Sequence, residues 1–78
     1  MQKLKIKTTR WPGGYKAWLS DDPKTRSTST RCAWAAAYNL AVKVFFGHNH
    51  LAQLDPAELD KTIVTQTSQD TYLATYDK

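Results

Sequence analysis

Cysteine is almost missing from this chain. Cys32 stands alone among 78 residues, which excludes an intrachain disulfide and a cysteine-based metal cage and suits a reducing compartment. Glycine is scarce too, with three in all, and no phosphate-cradling loop, Walker sequence or nucleophile elbow is spelled anywhere. Long apolar runs are absent: the longest, Ala33 to Phe46, is broken by Asn39 and Lys43 and is too short to cross a bilayer. The first residues alternate Lys with Leu and Ile, unlike the continuous apolar segment of a signal peptide. The expectation is a cytoplasmic protein with no membrane partner and no cofactor.

Negative charge is what the first half lacks. Residues 1–43 hold nine Lys/Arg against two Asp/Glu, a net +7, whereas residues 44–78 hold two against five, a net −3. Such a split points to a charged partner rather than to a reaction. A hydrophobic content of 41% argues against disorder. The length predicts one domain over residues 1–78, with a small core: a chain this short buries about 60% of its unfolded surface.

Periodicity supplies the elements. Residues 3–9 alternate with period two, with Leu4 and Ile6 on one side and Lys3, Lys5 and Lys7 on the other. Trp11-Pro12-Gly13-Gly14 reads as a reverse turn, and residues 15–20 alternate again, so the two strands form an antiparallel hairpin. If Tyr15, Ala17 and Leu19 join the buried face, the outer face carries Lys3, Lys5, Lys7, Lys16 and Trp18. A polar connection follows, with a short third strand around residues 26–28. Ser29 or Thr30 is the expected N-cap of a helix from about residue 31 to Phe46, stopped by Gly47. Ala33, Ala37, Leu40, Ala41 and Val44 fall on its inner face, and Trp34, Tyr38 and Phe45 along one flank, where Trp34 is expected to close the core. Arg31, Ala35, Asn39 and Lys43 mark the outer side, together with Val42 and Phe46; left uncovered, those two would form an apolar interface patch.

After a loop at His48-Asn49-His50, Asp55-Pro56 opens a short helix, with Glu58 as the reciprocal cap. Residues 62–67 and 71–76 read as strands around a turn at 68–70. The expected fold is α+β, a two-layer sandwich ordered β-β-(β)-α-α-β-β. An antiparallel sheet of four to five strands carries one long helix on one face.

Candidate chemistry is thin. His48 and His50 could ligate a metal with Asp55 or Asp60, but a solvated loop is the default for that spacing. Cys32 lies near a helix start beside Arg31, but a nucleophile there would still need a positioned base, and no histidine is placed to act as one. Asp21-Asp22 before Pro23 reads as a solvated turn. The lysine face is the stronger candidate: cations serve phosphate and an aromatic serves bases, and an acidic protein groove would suit the same surface. The bland alternative is a solvated face whose lysines discourage edge-to-edge aggregation. A second basic cluster, Lys24, Arg26 and Arg31, precedes the helix.

The run Gly13-Gly14-Tyr15-Lys16-Ala17-Trp18-Leu19-Ser20-Asp21-Asp22-Pro23, with the Ser/Thr residues 27–30 and then Ala33, Ala36, Ala37 and Asn39, resembles the N-terminal domain of HicB-type antitoxins over about residues 3–46. The resemblance implies a small sheet with one covering helix that binds and occludes a small RNA-cleaving toxin without catalysis of its own. In size and layout the chain also looks like small phage-encoded counter-defence proteins, including anti-CRISPR inhibitors; that likeness would place it in the host-cell cytoplasm. The expected function is therefore a non-enzymatic inhibitor of a nuclease or CRISPR effector complex. Trp11, Tyr15 and Trp18 are its candidate anchors, and Lys3, Lys5, Lys7, Lys16, Lys24, Arg26 and Arg31 its charged contacts. The alternative is a small basic module that contacts DNA or RNA directly. A homodimer through the terminal strand is a third reading.

Overall fold

The computed structural model describes residues 2–47, 57 and 60–76. It is an α+β fold in two layers. Strands β1 (Gln2–Trp11), β2 (Gly14–Leu19) and β3 (Asp22–Ser29) precede helix α1 (Ala33–Phe46), and β4 (Thr62–Ser68) and β5 (Thr71–Tyr76) follow it. All five strands form one antiparallel sheet, ordered β3-β2-β1-β5-β4. The helix touches every strand from one side. No helix among the described residues is long and apolar enough to cross a membrane. The expected short helix from Asp55 and the loop His48-Asn49-His50 lie outside the described residues.

The period-two pattern of β1 sorts its side chains as the sequence suggests. Ile6 is buried while Lys3 and Lys5 are exposed. Pairing sets Ile6 opposite Leu19 on β2 and opposite Tyr72 on β5, so one face gathers Leu4, Ile6, Ala17, Leu19, Tyr72 and Ala74. Onto it the helix lowers Ala36, Ala37, Leu40 and Ala41, all fully buried. Alanines let the helix backbone approach the sheet closely, and Leu40 and Ile6 fill the space that remains.

Several local expectations need correction. The third strand is a full eight residues rather than a short segment. Because it runs through Ser29, which pairs with Tyr15, neither Ser29 nor Thr30 is free to cap the helix. Ser29 Oγ instead accepts from the Arg31 amide, and Cys32 is the N-cap, its Sγ accepting from Ala35 N at 3.4 Å. Trp34 does not close the core. It is 46% exposed, stacks on Tyr38, and donates its indole N–H to the Val64 carbonyl of edge strand β4. Asn39 and Lys43, expected in water, reach the other edge and donate to the Thr28 and Arg26 carbonyls of β3. One helix thus supplies donors to both edges of the sheet, where exposed carbonyls would otherwise template pairing with another chain. Val42 is 1% exposed, and Phe46 packs edge-on against Tyr76, so the two do not form an exposed apolar patch; Val44, expected inside, is 36% exposed. The terminal strand β5 is paired on both sides, which leaves it no free ladder for dimerisation.

Two glycines have positive φ for different reasons. Gly47 ends the helix in the left-handed region, its amide bonded to the Lys43 carbonyl, with open space around its α-carbon. Gly14 has φ +131, and a β-carbon there would sit 2.5 Å from the Ser29 carbonyl oxygen. Gly14→Ala therefore combines backbone strain with a backbone clash, and should cost about 3 kcal/mol or more. Gly47→Ala meets the strain alone, about 1 kcal/mol. Denaturant unfolding of the two variants checks this order; equal losses would contradict it.

Two phenols are held protonated beyond the ordinary 10.0. Burial raises Tyr38, with Asp60 adding to the effect, and burial also raises Tyr72, with Cys32 adding. The folded chain then keeps protons that the unfolded chain has begun to release. Stability is fully present below the ordinary tyrosine value and is lost as the pH rises through the folded ones. Tm is expected to fall with a shallower slope above pH 10 in Tyr38→Phe/Tyr72→Phe than in the parent chain. Equal slopes would show that the two phenols contribute nothing.

Candidate docking face

The face of the sheet opposite the helix is built by register. On β1 it takes Lys3, Lys5, Lys7 and Thr9. On β2 it takes Lys16, opposite Thr9, and Trp18, opposite Lys7. On β3 it takes Thr28, opposite Lys16, and Arg26, opposite Trp18. Trp18 is therefore half-buried between a lysine on one neighbouring strand and an arginine on the other. Lys24 is exposed further along β3, toward the β2–β3 turn.

Trp11 belongs to the same face, at the end of β1. Its indole lies over Gly13, where an added β-carbon would meet the ring at 2.7 Å, and the Lys16 ammonium sits 4.7 Å from the ring centroid. That cation–π contact holds Lys16 beside the indole. Trp11 remains 39% exposed and, with Lys16, Arg26, Ser27 and Thr28, lines a shallow cleft of about 240 Å³.

The C-terminal strands extend the face without adding charge. Thr75 lies opposite Lys3, Leu73 opposite Lys5 and Thr71 opposite Lys7; beyond them come Ile63 and Thr65 on β4. Ile63 is 59% exposed. No described carboxylate is paired opposite these lysines. Asp21 stands at the β2–β3 turn, Asp22 is the exposed first residue of β3 and pairs with Leu19 beyond a register shift, Asp60 precedes β4, and Asp70 stands at the β4–β5 turn; Asp22 and Asp70 accept from the Thr25 and Thr71 hydroxyls.

Two of the candidate contacts lie off this face. Tyr15 points to the helix side, packed against the core. It lines a second cleft of about 450 Å³ with Thr8, Thr9, Arg10, Ala33, Gln69 and Asp70. Alternation made Tyr15 a buried-face residue from the start, so its place as an anchor conflicted with the pattern that defined the face. Arg31 is exposed in the connection between β3 and the helix and belongs to no strand. Conversely, Leu73, Thr75, Ile63 and Thr65 could not be assigned to this face from sequence, because their placement depends on which strand β5 joins. No group of three or more His, Cys, Asp or Glu among the described residues could hold a metal ion.

Comparison with known proteins adds no family. No protein-family model, curated protein or solved structure matches this chain.

Proposed function

We propose that this chain is a non-enzymatic inhibitor that docks through the open face of its sheet on a nucleic-acid-processing assembly and occludes the surface it covers. The observation that carries this reading is the position of the lysines. Lys3, Lys5 and Lys7 lie on β1, the middle strand of the five. Lysines that guard against aggregation belong on edge strands, so edge protection does not account for them.

Their placement is also unfavourable for the isolated fold. Same-face residues two apart on a strand are separated by about 6.7 Å. Two unit charges at that distance repel by about 0.6 kcal/mol even in bulk water. No described carboxylate is paired opposite these lysines to offset the repulsion, whereas an anionic partner would relieve it. Trp18 and Trp11 supply aromatic surface among the cations, as contact centres often do. The likeness to HicB-type antitoxins and to counter-defence proteins supports inhibition as the outcome of docking.

Reversing charge at the middle strand tests the face. In a pull-down from host-cell lysate, Lys5→Glu/Lys7→Glu is expected to lose the assembly that the parent chain retains, with an unchanged circular dichroism spectrum and a Tm no lower than the parent's. Retention equal to the parent would exclude this face.

A further inference from the structure

We infer that the component the open face contacts is single-stranded nucleic acid, an inference that rests on that face being the docking surface. Three features converge on it. The first is charge. The acidic C-terminal half would repel phosphate if its carboxylates shared the face; its described strands, β4 and β5, place Thr65, Ile63, Thr71, Leu73 and Thr75 there. Phosphate meets Lys3, Lys5, Lys7, Lys16 and Arg26, and no described carboxylate is paired opposite any of them.

The second feature is the alternation of aromatic and cation across the strands. Trp18 sits between Lys7 and Arg26, and Trp11 lies beside Lys16. A base stacked on either indole has cations within one strand spacing, about 4.8 Å, to take its phosphates. Leu73 and Ile63 carry apolar surface across β5 and β4.

Shape is the third. Reading duplex DNA requires an element that enters a groove, usually a helix or a two-stranded ribbon. Here the long helix is on the opposite side of the sheet, and the cationic face is built from strand positions. A sheet face suits unpaired bases laid against it. The competing ligand, a nuclease's own nucleic-acid-binding surface, is cationic by the same logic and would be repelled.

Fluorescence anisotropy with a labelled oligothymidylate of about 16 nucleotides, set against a duplex of equal length, tests the inference. The single strand should bind more tightly than the duplex. With about four phosphates neutralised, affinity should fall about 50-fold between about 50 and 200 mM salt. Trp18→Ala should weaken binding about 5- to 100-fold, and Trp18→Phe should restore most of the loss. Lys5→Glu/Lys7→Glu should flatten the salt dependence. Absence of binding at low salt, tighter binding to duplex, or an unaffected Trp18→Ala variant would each overturn the inference. If oligothymidylate does not bind, yet a protein complex survives nuclease digestion and is lost with Lys5→Glu/Lys7→Glu, the docking face stands and its ligand is protein. If that complex also tolerates the charge reversal, the docking face itself fails.

Discussion

The contact between the helix and the sheet is made largely by small side chains. Ala36, Ala37 and Ala41 meet a surface that includes Ala17 and Ala74, and only Leu40 and Ile6 among the fully buried members of this core are large. Close approach of backbone layers yields dense dispersion contact from few carbon atoms, which is how a chain of this length closes a core at all. The same closeness lets Trp34, Asn39 and Lys43 reach carbonyls on β4 and β3. A larger residue at Ala37 or Ala74 would push the layers apart and withdraw those donors together with the packing.

Covering one face with one helix leaves the other uncovered among the described elements. In many antiparallel sheets that second face is a mixed polar surface. Here it is sorted by charge, with cations on β1, β2 and β3, neutral side chains on β4 and β5, and the described carboxylates at turns or strand ends. The sorting follows from strand order. β5 inserts between β1 and β4, so the acidic half of the sequence is spatially adjacent to the lysines yet contributes threonine, leucine and isoleucine to their face.

Local signals in the chain were legible and non-local ones were not. The alternation in β1 and β2, the stop at Gly47 and the span of β5 each depend on residues a few positions apart, and each was readable. The length of β3 was hidden because its Ser/Thr run serves a helix cap and a strand equally well; pairing with β2 decided between them. Cys32 as N-cap followed from that decision. Periodicity places Val42 on the outer side of the helix, yet it is buried, which an argument that assumes one covered face does not foresee. For the docking face, the lysines and Trp18 were readable from alternation alone, whereas Leu73, Thr75 and Ile63 required the order of strands, a property of pairings about 70 residues apart. Tyr15 alternates with the buried face of β2, and the structure keeps it with the core.

The proposed docking uses the face away from the helix. The three indoles report on it directly, since Trp11 and Trp18 lie on the open face while Trp34 extends from the helix to the Val64 carbonyl. Titrating oligothymidylate into the isotope-labelled chain and following the three indole N–H resonances separates the two sides. Shifts of Trp18 and Trp11 with Trp34 unmoved are the predicted result. A shift of Trp34 with Trp18 unmoved would place binding on the helix side and contradict the account.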